Sequence, residues 1–107
     1  MSEVIEIKER VYKMKIDSTV LVTGAAGFIG FFVSLKLLKE GWHVIGLDSF
    51  SDYYDVKLKL DRESQLLKFE KYVSIHEKIE DPGVLLSIFK NKKPDVVIHL
   101  AAQAGVR

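Results

Sequence analysis

Val20-Leu21-Val22-Thr23-Gly24-Ala25-Ala26-Gly27-Phe28-Ile29-Gly30 is the stretch whose reading decides the fold. A short β-branched and apolar run ends in three glycines at three-residue spacing, and a helical pattern follows. A strand that turns tightly into a helix has this form. Gly24 falls at the bend, where a side chain would be in the way, Gly27 falls where a ligand backbone has to come close, and Gly30 falls where the helix lies against its strand. A helix that begins there leaves its first amides unpaired and carries about half a positive charge at its end, which suits a phosphate. The expectation is a dinucleotide site.

Working outward, Ser18 to Thr23 is apolar on both faces, as a central parallel strand must be when helices cover both sides of its sheet. From Phe28 to Glu40 the apolar positions Phe28, Ile29, Phe32, Val33, Leu37 and Leu38 keep helical spacing, and Gly41 stops the helix after a basic last turn. His43 to Leu47 is a second short strand and ends in Asp48. Ser49 to Asp55 is polar and aromatic, a loop by composition; Val56 to Phe69, with Leu58, Leu60, Leu66 and Leu67 among mixed charges, fits an exposed helix. Tyr72 to Ile75 is a third strand. Asp81-Pro82 reads as an N-cap followed by proline at the first helical position, with Val84, Leu85, Ile88 and Phe89 as the buried stripe and Lys92-Lys93-Pro94 as the close. Asp95 to Leu100 is the fourth strand, and small residues run on from its carboxyl end over Ala101 to Arg107.

Strands alternating with helices at this spacing predict an α/β fold: a Rossmann-like parallel sheet of strand order 3-2-1-4, incomplete at the strand-four edge. In that order the carboxyl ends of strands one and four meet, so Gly24 to Gly30 and Ala101 to Arg107 belong to one crevice. Residues 1–17 form an amphipathic leader that reads equally as a short helix or an extended arm. No repeat, linker or low-complexity tract interrupts the chain.

At 107 residues the chain has the size of one domain and buries about two thirds of its unfolded surface. Sixteen Lys and Arg stand against 15 Asp and Glu, a net charge of +1, so no global field draws it to nucleic acid or an anionic membrane. The absence of Cys excludes disulfides and thiol chemistry and suits a reducing cytoplasm. Neither a secretory signal nor a membrane span is legible near Met1, and a soluble, cytoplasmic protein is expected.

Asp48 stands close to the distance of about 20 residues from the glycines at which a carboxylate accepts hydrogen bonds from an adenosine ribose. It would repel a 2′-phosphate, and no Arg follows it directly, so NAD is expected over NADP. An ordinary polar strand end would also place an aspartate there. His99 reads as a satisfied core histidine, Trp42 and the six Phe as core, and Lys90, Lys92 and Lys93 as a solvated basic cluster at a helix end. His43 and His76 have no acidic pair at metal spacing, and no metal site is expected.

Thr23-Gly-Ala-Ala-Gly-Phe-Ile-Gly30, Gly46-Leu-Asp48, Asp52-Tyr-Tyr-Asp-Val56 and His99-Leu-Ala-Ala-Gln-Ala-Gly-Val-Arg107 together resemble the nucleotide-sugar epimerases of the extended short-chain dehydrogenase/reductase family, and within it the UDP-glucuronate 4-epimerases. The likeness covers residues 18–107, which it makes the amino-terminal part of an NAD-binding Rossmann domain. The resemblance implies that Gly24, Gly27, Phe28, Ile29 and Gly30 line the pyrophosphate turn and Asp48 holds the ribose. It places Leu100, Ala101, Ala102 and Gln103 along the cofactor towards the nicotinamide and Arg107 on the sugar-nucleotide side. Two positions depart from the family pattern. Ser49 replaces a common Asn, and Lys78-Ile79 replaces the Asp-Ile that meets the adenine, exchanging an acceptor for a group that only donates.

The resemblance further implies a reaction in which a tyrosinate takes the sugar 4-hydroxyl proton while hydride passes to NAD, and the 4-keto sugar turns over to receive it on its other face. The family's catalytic Tyr-x-x-x-Lys pair lies beyond residue 107. Tyr53 and Lys57 meet that spacing beside the adenosine end, out of reach of the reacting proton. The expectation is therefore the cofactor-binding portion of a nucleotide-sugar 4-epimerase, inactive alone. Two alternatives stay open: a non-catalytic nucleotide-binding or interaction module that self-associates through the strand-four edge, and part of a dehydratase, decarboxylase or reductase of the same family.

Overall fold

The computed structural model describes residues 18–50 and 56–100. Four parallel strands, β1 (Thr19–Thr23), β2 (His43–Asp48), β3 (Tyr72–His76) and β4 (Val96–His99), lie in the order β3-β2-β1-β4. Helices α1 (Phe28–Lys39), α2 (Val56–Leu66) and α3 (Val84–Lys92) connect them. This is the expected Rossmann-like order. In the central register Thr23 sits between Leu47 on β2 and His99 on β4, and Asp48 is level with His76 on β3.

The alternation of buried side chains on β1 explains the two layers. Val20 and Val22 face a core built with Val44, Phe31 and Leu38 of α1, Leu66 of α2 and Trp42. Leu21 faces the other way, onto Ile45, Leu47 and Ile88 of α3. A strand buried on both sides is continuous in its apolar residues, which is why Val20, Leu21 and Val22 follow one another without a polar break.

The end of α1 matches its reading. The Gly41 amide bonds the Leu38 carbonyl at 3.1 Å and the Trp42 amide bonds the Leu37 carbonyl at 3.1 Å, with Gly41 at φ 98°. These two bonds are the Schellman closure of a helix. At the other end of the chain, Lys93 at φ 49° closes α3 and returns its amide to Ile88.

Three expectations about helices are corrected. The inward row of α1 is Gly30, Phe31, Ser34 and Leu38, whereas Phe28 (63%), Ile29 (61%) and Phe32 (53%) are exposed. The close seat of Gly30 on the turn decides which side of the helix faces the sheet, and the apolar residues outside that row pack on one another. The Phe28 and Phe32 rings meet edge to face at 5.2 Å. Helix α3 starts at Val84 with Gly83 as its N-cap at φ 89°, so Asp81 is not the cap. Its carbonyl instead accepts the Val84 amide in a preceding turn, because the left-handed Gly83 separates Pro82 from the helix. Phe89 is exposed, leaving Val84, Leu85 and Ile88 to carry the contact.

Candidate functional site

The glycine turn is fixed first by the sheet. Gly24, with φ 72°, occupies the left-handed region that a glycine enters without penalty. Its amide donates to the Leu47 carbonyl at 2.8 Å, and the Ala25 amide shares that acceptor at 3.3 Å. The Gly27 amide returns to the Gly24 carbonyl at 3.0 Å, closing the turn as α1 begins. A Cβ built on Gly30 would stand 2.0 Å from the Gly24 carbonyl oxygen. No side chain caps the α1 N-terminus at Gly27, and the first turn carries no acid. The helix end therefore presents amides and positive potential outward, a cradle suited to a phosphate.

Asp48 ends β2 beside this turn and is buried, as are its neighbours Thr23, Ala25 and Ala26. Its Oδ2 accepts the Ala26 amide at 3.0 Å. Its Oδ1 accepts the Phe50 amide at 2.8 Å and the Lys59 ammonium at 2.8 Å. Arg62, one turn along α2 from Lys59, donates Nη1 to the Ala26 carbonyl at 3.0 Å and lies 5.9 Å from the centre of the Phe28 ring. The turn is thus gripped by a carboxylate on its amide side and a guanidinium on its carbonyl side.

Behind Asp48 the polar contacts continue across β3. Glu63 of α2 accepts a hydrogen bond from Ser74 and pairs with Nε2 of His76, whose ring stacks on Phe50 at 3.9 Å. Tyr72 lies below them. Burial pushes its phenol well above the usual tyrosine range, the Glu63 and Asp48 carboxylates add to the shift, and a hydrogen bond with Ser74 opposes it. On the β4 side, the Leu100 amide bonds both the carbonyl (3.1 Å) and the hydroxyl (2.9 Å) of Thr23, whose hydroxyl also meets Nδ1 of His99 at 2.8 Å. His99 is satisfied, as expected, but exposed and so not part of the core.

The structure brings Gly24, Gly27, Phe28, Ile29, Gly30, Asp48 and Leu100 to the carboxyl end of one sheet. Ala101, Ala102, Gln103 and Arg107 lie outside the described residues, as do Tyr53 and the leader. Lys78 is exposed, and Ile79 beside it packs on the α3 core. Sequence reasoning missed Lys59 and Arg62, and it quoted Gly46 within a motif without giving it a role. The first two are three residues apart on one helix and so share a face; read as a basic pair following an acidic strand end, they would have pointed back to Asp48. Gly46 makes room for Tyr72, whose Oη would lie 1.8 Å from a Cβ there.

The family model described as GDP-mannose 4,6 dehydratase matches residues 21–107. The chain belongs to this family. Among curated relatives, this family member is 48% identical over 88 residues to Protein CapI of Staphylococcus aureus, covering 82% of this chain and 26% of that protein. It is 45% identical over 87 residues to a probable UDP-glucuronate 4-epimerase of Rhizobium meliloti, covering 81% of this chain and 26% of that one. Among solved structures, the UDP-glucuronic acid 4-epimerase of Bacillus cereus, in complex with UDP-glucuronic acid and NAD, superposes with a TM-score of 0.71 at 39% identity, over 83% of this chain and 28% of that one. The chain spans about a quarter of the length of the curated relatives it matches. No described helix is long and apolar enough to cross a membrane.

Proposed function

We propose that residues 18–107 are the amino-terminal, NAD-binding part of a nucleotide-sugar 4-epimerase with a UDP-glucuronate-like substrate. The observation that carries this reading is the junction of Asp48 with the glycine turn: a buried carboxylate 3.0 Å from the Ala26 amide, beside an uncapped helix end. One group suits ribose hydroxyls and the other a pyrophosphate, and they stand side by side as a dinucleotide requires. Gly30, where a Cβ would stand 2.0 Å from the Gly24 carbonyl oxygen, gives the close helix-on-strand packing that the third glycine of a dinucleotide turn provides, and supports the same cofactor. The likeness to UDP-glucuronate 4-epimerases supports the substrate class.

NAD, when bound, supplies the hydride acceptor. What these residues contribute is its placement: the α1 amides take the pyrophosphate, Asp48 takes the ribose, and Leu100 runs towards the nicotinamide with Ala101, Ala102 and Gln103. Arg107 belongs to the sugar-nucleotide side. The 107 residues bind the cofactor without turning over UDP-glucuronate by themselves, and they act in the cytoplasm. Val97, exposed on the edge strand β4, is the place for self-association.

Thermal melting of the 107-residue protein with and without NAD tests the reading. NAD at about a hundredfold excess over its Kd stabilises by about 2.7 kcal/mol, enough to move a melting temperature by several degrees. NADP at the same concentration moves it less, because Asp48 opposes the 2′-phosphate. An unchanged melting curve with millimolar NAD would refute the proposal.

A further inference from the structure

Lys59 has no role in any of the sequence patterns above, yet its ammonium is buried in the site, with its side chain 11% exposed and that of Asp48 5% exposed. A lysine is seldom drawn out of water without a charge to meet, and Lys59 meets Oδ1 of the Asp48 carboxylate at 2.8 Å. The two oxygens of Asp48 are thereby made unequal. Oδ1 accepts both the Lys59 ammonium and the Phe50 amide, which fills its two lone-pair directions. Oδ2 accepts the Ala26 amide among the described residues and keeps a second direction beside the glycine turn. Rotating the carboxylate would disturb all three bonds, so the pair from Lys59 and Phe50 determines which oxygen is presented.

We propose that Lys59 is the positioning residue of the ribose site: by holding Oδ1 it commits Oδ2 of Asp48 to the ribose 2′-hydroxyl. The proposal rests on the NAD reading above. Lys59 reaches across from α2 while Arg62 of the same helix holds the Ala26 carbonyl, so one helix face fixes both the carboxylate and the turn it addresses. A lysine here acts through Asp48 and need not touch the nucleotide.

The test is the ratio of affinities for ADP and 2′-deoxy-ADP, measured by calorimetry on the 107-residue protein. The wild type prefers ADP by about tenfold, the worth of one charge-assisted hydrogen bond. In Lys59→Met the ratio collapses to within about twofold, and Lys59→Arg, which keeps a charged donor, restores most of it. A merely structural lysine would weaken both nucleotides alike, and a ratio still near tenfold in Lys59→Met overturns the proposal. Should Lys59→Met not fold, Lys59→Gln replaces it: a neutral donor holds Oδ1 less firmly and the ratio falls to about threefold, whereas an unchanged ratio again overturns the assignment. A wild type that binds ADP without preference overturns this proposal but leaves nucleotide binding standing, while a wild type that binds neither ADP nor NAD overturns the NAD reading with it.

Discussion

A Cβ on Gly30 would lie 2.0 Å from the carbonyl oxygen of Gly24, which places the first turn of α1 in direct backbone contact with the end of β1. The nearest atoms are all main chain, with Gly24 C at 2.8 Å and Ala25 Cα at 3.0 Å, so no side chain can swing away to make room. Gly30→Ala is expected to cost about 3 kcal/mol, the upper end for overpacking, measured by urea denaturation without nucleotide. On an unobstructed helix the same change would stabilise by about 1 kcal/mol. The sign of the effect therefore reports whether α1 is seated on the turn.

The same contact explains what the sequence could and could not disclose. Val20, Leu21 and Val22 announce a strand covered on both sides, and Gly41 announces a helix end, because each depends on the local chain alone. Which side of α1 faces inward depends on Gly30 meeting Gly24, so Phe28, Ile29 and Phe32 look like core by spacing and emerge exposed. Lys59 was harder to read, for the opposite reason. Within α2 it is one charge among several, and only the placement of α2 back beside the end of β2 brings it to Asp48. Asp48 itself was legible because its position at a strand end, at the right distance from the glycines, is a property of the βαβ unit.

Gly46 and Tyr72 form a second close fit, on neighbouring strands. A Cβ at Gly46 would meet Tyr72 Oη at 1.8 Å and Cζ at 2.5 Å, and Ala25 Cβ at 2.9 Å. Gly46→Ala is expected to destabilise by about 2 kcal/mol in a urea titration. Combining it with Tyr72→Phe removes the nearest atom and leaves the ring carbon, so the double variant should recover part of the loss and not all of it. Strict additivity of the two changes would mean that they do not meet.

The phenol of Tyr72 also sets an alkaline limit. Its folded value lies above the ordinary tyrosine value of 10.0, chiefly through burial and then through Glu63 and Asp48. Below about pH 10 both states keep the proton and the contribution to stability is constant. Above it the unfolded chain releases a proton that the folded chain retains, so stability falls with a slope of at most about 1.4 kcal/mol per pH unit. The stability difference between wild type and Tyr72→Phe, followed by denaturation from pH 8 to 11, should be flat to about pH 10 and then move against the wild type. A difference that stays flat throughout would show that the folded phenol titrates normally.

Ser34 offers the converse case, a polar group whose removal should help. It belongs to the inward row of α1, it is fully buried, and its Oγ has no hydrogen-bond partner among the described residues. A buried hydroxyl without a partner carries a desolvation cost of about 1 kcal/mol or more, and Ala is in addition the better helix former. Ser34→Ala leaves the small volume that this seat allows, whereas Val or Leu would overfill it. The expected result is a gain of about 1 kcal/mol in unfolding free energy, with no change in the NAD-dependent melting shift because Ser34 faces the sheet and not the turn. A loss of stability would mean that the hydroxyl has a partner within the core, and the packing of α1 on β1 and β2 would then need a hydrogen bond that the Gly30 contact alone does not supply.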